Sequence, residues 1–262
     1  MNRSVSFSLR RACTPARRSV SLAVAALAAI AAHGSVRAVE ACTAAGTRAV
    51  APVVELYTSE GCNSCPPADR WLSRLKSDPT VVALAFHVDY WDRLGWKDRF
   101  ASAAFTARQA AQQSTNGARF SYTPQVVVDG RDRTDWPRAN ITGAARPAAT
   151  IAVALAHRGD AFVATVTPGA GSPQRLAAYW AVTEQGHVSA VKAGENEGVT
   201  LHHDFVVRDY APVAAWAAHG GAAETLTFAP KSPANAAHPR SVNLVVVDVA
   251  TGRPVQAAKI GC

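Results

Sequence analysis

The stretch from Val53 to Pro67 constrains this sequence more than any other. Val53-Val54-Glu55-Leu56-Tyr57 is β-branched and apolar enough to read as a strand. Residues 58–61 turn the chain, and Cys62-Asn63-Ser64-Cys65 leads into Pro66-Pro67. Paired prolines suit the first turn of a helix, where missing N–H groups cost little. That helix sets Trp71, Leu72 and Leu75 on one face and stops before Pro79. Cysteines between a strand end and a helix start meet exposed N–H groups and the positive end of the helix dipole. This setting favours a thiolate, the attacking species in disulfide exchange. Two intervening residues let Cys65 resolve a mixed disulfide formed at Cys62. The same spacing also serves other chemistry. A metal site needs further ligands, and the sequence holds no second CxxC, with His87 the nearby candidate. Copper(I) held by two thiolates and a purely structural disulfide complete the alternatives.

The first residues belong to a different problem. Arg3, Arg10, Arg11, Arg17 and Arg18 precede an apolar run at residues 19–32, and Val36-Arg37-Ala38 has the small-residue pattern of a cleavage site. This order reads as a secretory signal, with an apolar core too short for an ordinary membrane span. The expected mature chain starts near Val39, exported to the periplasm or medium, without a stable membrane anchor. Six of the 27 Lys+Arg residues lie before Val39 and none of the 19 Asp+Glu, which leaves a mature charge of +2. The basic balance of the precursor therefore gives no support to nucleic-acid binding. Cys13 departs with the signal, leaving Cys42, Cys62, Cys65 and Cys262. An even count in an exported chain suggests pairing. The closeness of Cys62 and Cys65 favours the pairing that also joins Cys42 to Cys262, against two free terminal thiols.

Beyond the cysteines, residues 81–88 read as a second, buried strand and residues 100–113 as a helix. Gln125-Val126-Val127-Val128 reads as a third strand closed by Asp129-Gly130, and residues 147–156 as a last helix. This is an α/β pattern, with the first two strands parallel. Past Arg158-Gly159-Asp160 the sequence changes to short strands at residues 162–167, 175–183, 200–209, 223–228 and 242–249. The expected organisation is a signal at 1–38, an α/β domain at 39–158 and a smaller, mainly antiparallel, sandwich-like β domain at 159–262.

A strand ending in Cys-x-x-Cys, with Thr123-Pro124 before a later strand, resembles the thioredoxin superfamily. Proline suits the first residue of a strand, and X-Pro bonds tolerate cis geometry. The runs Glu55-Leu56-Tyr57-Thr58-Ser59-Glu60-Gly61-Cys62, Phe86-His87-Val88-Asp89-Tyr90-Trp91-Asp92 and Tyr122-Thr123-Pro124-Gln125 look like a bacterial exported thioredoxin-like family, domain-of-unknown-function family 1223. Gly194-Glu195-Asn196-Glu197-Gly198 and Val206-Val207-Arg208 look like its C-terminal signature. The resemblance implies a thioredoxin-like fold, a cis Pro124 packed against the cysteines, and a Thr123 that contacts the partner. It also implies that Glu55 is a buried acid assisting proton transfer at Cys65. Asn63-Ser64 replaces the Gly-Pro of thioredoxin and Pro66 its lysine, so the direction of electron flow is not inherited.

His87, Asp89, Tyr90 and Trp91 leave the second strand on the edge that carries Cys62. With Trp96 they line a groove for a peptide or small thiol, or else pack as aromatics over the sheet edge. His202-His203 is not a chelating pair, because neighbours on a strand point to opposite faces. Residues 194–198 have turn chemistry. The expected function is thiol–disulfide exchange with protein or small-molecule partners, Cys62 attacking and Cys65 resolving, with no cofactor. The alternatives are a copper- or metal-binding module and a non-catalytic binding domain.

Overall fold

A computed structural model describes residues 42–218 and 220–261. Strand β1 (Thr43–Ala45) is followed by β2 (Val53–Thr58), helix α1 (Pro66–Ser73), β3 (Val82–His87), helix α2 (Ala103–Asn116), β4 (Gln125–Val128) and β5 (Arg131–Asp132). Then come β6 (Ile151–Arg158), β7 (Ala161–Pro168), β8 (Arg175–Glu184), β9 (His187–Ala190), β10 (Thr200–His203), β11 (Val206–Ala217), β12 (Glu224–Phe228), β13 (Arg240–Asp248) and β14 (Pro254–Ile260). Local chemistry explains the two helices. Pro66 and Pro67 open α1, and the Ser102 hydroxyl caps α2 by accepting from the Ala104 N–H at 3.2 Å. Gly117, at φ 89°, ends α2 in the left-handed region.

Eight strands form one sheet in the order β14-β13-β8-β11-β3-β2-β4-β5. Within it β2–β3 and β11–β3 are parallel, and the other pairs antiparallel. A second sheet, β1-β6-β7-β12, closes a core in which Ile151, Val153, Leu155 and Val166 meet Leu176, Trp180, Leu244 and Val246. The two faces of β2 serve different helices. Val54 and Leu56 pack with Ala68, Trp71 and Leu72 of α1, while Val53 and Tyr57 share a cluster with Phe105 of α2. β9 and β10 pair with each other as a separate ribbon.

This architecture overturns the expected thioredoxin-like α/β domain followed by a smaller β domain. The fold is mostly β, with two α-helices among the described residues. Strands from both halves of the chain interleave in the large sheet, joined where Val206 of β11 pairs with Ala85 of β3. The expected helix at 147–156 is largely strand β6. Ile151, Val153 and Leu155 are buried while Ala152 and Ala154 between them are exposed, a period of two that the alanine content disguises. No helix among the described residues is long and apolar enough to cross a membrane. The expected signal at 1–38 lies outside them.

Candidate active site at the Cys62–Cys65 turn

β2 ends at Thr58, and the turn that follows carries the cysteines to the start of α1. Cys62 and Cys65 are joined in a disulfide with their Cα atoms 5.4 Å apart. Cys65 is the N-cap residue of α1, and its carbonyl accepts from the Ala68 and Asp69 N–H groups. Pro66 and Pro67 have no N–H to give. The first turn of α1 therefore offers a thiolate its dipole but few free amides, fewer than the sequence suggested. The pair is also covered, with Cys62 1% and Cys65 0% exposed.

Three elements cover it. The loop after β3 brings Trp91 against Gly61, where an added Cβ would lie 3.0 Å from the Trp91 Cβ. The Trp91 indole N–H donates to the Thr123 hydroxyl at 2.8 Å, and the Thr123–Pro124 bond is cis. Gln125 of β4 pairs with Tyr57, so Thr123-Pro124 stand at the sheet edge where β2 releases the cysteine turn. Trp96 donates to Glu60 Oε2 at 2.7 Å. The third element is the loop 194–198 between β9 and β10. Asn196, buried, donates from Nδ2 to the Glu60 and Cys62 carbonyls at 2.8 and 3.0 Å, and Glu195 Oε2 accepts from the Asn63 N–H at 3.2 Å. Gly194, at φ +78°, lets this loop pack on Trp96. Sequence reasoning gave residues 194–198 a default turn role. Their hold on Cys62 spans more than 130 positions and has no local signal.

Beneath the turn, on the α1 face of the sheet, lies a buried polar cluster. Asp69, one helical turn beyond Cys65, accepts from the Thr58 hydroxyl at 3.2 Å, and burial raises its pKa. His87 is fully buried with Nδ1 2.7 Å from Asp98 Oδ2. Burial disfavours its imidazolium, but the Asp98 carboxylate outweighs this and raises the His87 pKa. Asp98 also accepts from the Glu60 N–H at 2.9 Å. The His203 ring packs across His87 at 5.0 Å, with its Nε2 3.5 Å from Glu60 Oε1. His87 Nε2 and both His203 nitrogens have no hydrogen-bond partner.

The predicted residues therefore divide. Cys62, Cys65, Trp91, Trp96, Thr123 and Pro124 gather at the turn. Asp89 and Tyr90 bond instead to Thr106 and Gln109 of α2, and His87 sits inside the protein rather than in a groove. Glu55 points to the opposite face of β2 from α1. There it is bound by Arg108, Tyr57, Gln112 and Tyr179. Burial alone would raise its pKa, yet Arg108 and the hydrogen bonds hold it below the usual carboxylate value. Cys42 packs on the two-sheet core, and its expected partner Cys262 lies outside the described residues. No group of three or more His, Cys, Asp or Glu side chains converges as metal ligands among the described residues.

Asn196→Ala should act on both stability and access. It leaves the Glu60 carbonyl without its donor and the Cys62 carbonyl with the Cys65 N–H alone, a loss of about 1–3 kcal/mol, and frees the loop over Cys62. The melting temperature should fall while the disulfide reacts faster with dithiothreitol. A slower or unchanged reduction rate would refute this covering role.

No curated protein matches the sequence. The crystal structure of Protein AGR_C_4864 from Agrobacterium tumefaciens is similar, at 27% identity and a TM-score of 0.60, over 82% of this chain and 95% of that one. HBP35 of Porphyromonas gingivalis shares the fold at 16% identity and a TM-score of 0.55, over 82% of this chain and 76% of that one. Residues 53–248, which include the cysteine turn, the loop that clamps it and the buried cluster, match the family described as Protein of unknown function (DUF1223), and the chain belongs to that family.

Proposed function

We propose that the chain is an exported thiol–disulfide oxidoreductase, Cys62 attacking and Cys65 resolving. The reading does not depend on a thioredoxin-like fold. It rests on one observation: the two cysteines, three residues apart at a helix start, are bridged above a buried acid and beneath a pinned loop. In the reduced protein the Cys62 thiolate attacks one sulfur of a partner disulfide. The Cys62–partner bond forms, the partner S–S bond breaks, and its other sulfur leaves as a thiolate that takes a proton from water. Cys65 then gives its proton to Asp69 and attacks the Cys62 sulfur, breaking the Cys62–partner bond and restoring the Cys62–Cys65 bond; the second partner sulfur leaves as a thiolate and takes the proton from Asp69. The partner gains two electrons and the pair loses two. Export is supported by the arginine-rich and apolar order of the N-terminal residues.

The test is catalysis of insulin disulfide reduction by the mature chain in the presence of dithiothreitol. A rate no faster than free dithiothreitol at equal thiol concentration sinks the proposal. Asp69 makes a second, separable prediction. Its raised pKa means that ionising it opposes folding, so Asp69→Asn should stabilise the protein at neutral pH. The same change should slow the Cys65 step and move its pH profile upward, read by rapid-quench mass spectrometry.

A further inference from the structure

We infer that the cleft between α1 and the outer edge of β10 docks an extended polypeptide, which adds to β10 as a new strand and brings its disulfide to Cys62. The inference rests on the thiol–disulfide reading and names its substrate class. The cleft has a volume of about 480 Å³ and begins at Pro66, next to Cys65. One wall is Pro66, Asp69, Arg70 and Ser73, the spacing of a single helix face.

The opposite wall is mainly six consecutive residues, Val199 to Asp204, with Gly186 and His187 joining it where the β9–β10 ribbon ends at Asp204. Along the six, side chains alternate, with Leu201 and His203 buried and Thr200 and His202 exposed. A run whose side chains point to opposite faces can line one cleft only along its edge, through the main chain. The hydrogen-bond phase agrees. Val191 N–H donates to the Val199 carbonyl at 3.0 Å, and Ser189 and His187 stand opposite Leu201 and His203. The alternation of an antiparallel pair therefore turns the N–H and C=O of Thr200 and His202 away from β9. No hydrogen bond among the described residues takes up these groups.

Proteins commonly blunt such edges with lysine, proline or a bulge. β10 reads Thr-Leu-His-His and has none of them. A helix on one side and an open strand edge on the other form a lane for one extended chain, held by main-chain pairing. The exposed charge in the lane favours acidic side chains, since Asp69 on the helix wall is buried and burial raises its pKa. Lys76 is already paired with Asp204 at 2.8 Å, while Arg70 is exposed and has no carboxylate partner among the described residues. His203, 2% exposed, lines the same cleft, its Nε2 3.5 Å from Glu60 Oε1 and its Nδ1 without a hydrogen-bond partner.

The test uses the mature chain and two oxidised substrates, a short acidic peptide carrying a mixed disulfide and hydroxyethyl disulfide. His202→Pro removes an outward N–H and leaves the β9 ladder intact. It should raise KM for the peptide about five- to tenfold, the worth of one main-chain hydrogen bond, and leave hydroxyethyl disulfide turnover unchanged. Arg70→Glu should weaken the acidic peptide in the same selective way. In parallel, the Thr200 and His202 amides should gain hydrogen-exchange protection when a serine analogue of the peptide is added. That arm needs no redox step, so it decides the lane even if neither disulfide is turned over. Unchanged peptide KM in a folded His202→Pro, or no protection by the analogue, overturns the inference. Protection that grows with protein concentration alone also overturns it, because a second copy then occupies the edge.

Discussion

Cys65→Ser should accumulate a covalent adduct between Cys62 and a disulfide substrate, while Cys62→Ser should lose exchange by on the order of a thousandfold or more. The asymmetry follows from where each sulfur lies. Cys65 is the N-cap of α1, fully buried, with Asp69 one turn beyond it and its carbonyl tied to two helix amides. Cys62 sits in the turn itself, and of the elements that cover it the 194–198 loop is the one bonded directly to its carbonyl, through Asn196. A partner reaches Cys62 first and Cys65 through it. Without Cys65 the mixed disulfide has no internal thiol to release it, and intact-mass spectrometry should find the adduct stable until dithiothreitol is added. Adding Asn196→Ala to Cys65→Ser should speed adduct formation, since the covering loop is then loose. An adduct on Cys65 in the Cys62→Ser variant, with none in Cys65→Ser, would reverse the assigned roles.

The chemistry-bearing residues were more legible than the architecture around them. β2, β3 and β4 are short apolar runs between turn residues, and their composition alone places them. The sequence carries no statement of which strand lies beside which. That β11 runs next to β3 depends on a pairing between Val206 and Ala85, more than a hundred residues apart. Two expected domains consequently share one sheet. The acid that the sequence points to is Glu55, which stands out in the apolar run of β2. Strand alternation sends Glu55 toward α2, and the acid on the cysteine side is Asp69, which looks like an ordinary first-turn helix residue. Asn196 was equally silent, because a turn residue and a residue that pins a distant turn have the same local composition.

Arg108→Met is expected to be the most destabilising single change outside the cysteine turn, at about 3–5 kcal/mol. Arg108 reaches Glu55 Oε1 at 2.5 Å and Tyr210 Oη at 2.8 Å, and its guanidinium lies 4.0 Å from the Tyr179 ring centre and 5.2 Å from that of Phe86. Its removal leaves the Glu55 carboxylate buried with neutral donors alone, a charge that the interior tolerates poorly. Glu55→Gln/Arg108→Met should recover part of the loss, since no unpaired charge then remains. The pH dependence separates this account from lost packing. In the wild type the Glu55 pKa is lowered from 4.5, so the stabilisation is complete above that value and is lost as pH falls through the folded pKa. In Arg108→Met burial is opposed by neutral donors alone, Tyr179 and Gln112 among them, so the Glu55 pKa rises. That variant takes up a proton on acidification and loses its penalty, so the stability gap should narrow between pH 7 and pH 4. Urea titrations at the two pH values measure it. An equal gap at both would assign Arg108 a packing role over Phe86 and Tyr179. Disulfide exchange by the folded variant should stay intact, because β2 stands between this network and the cysteine turn.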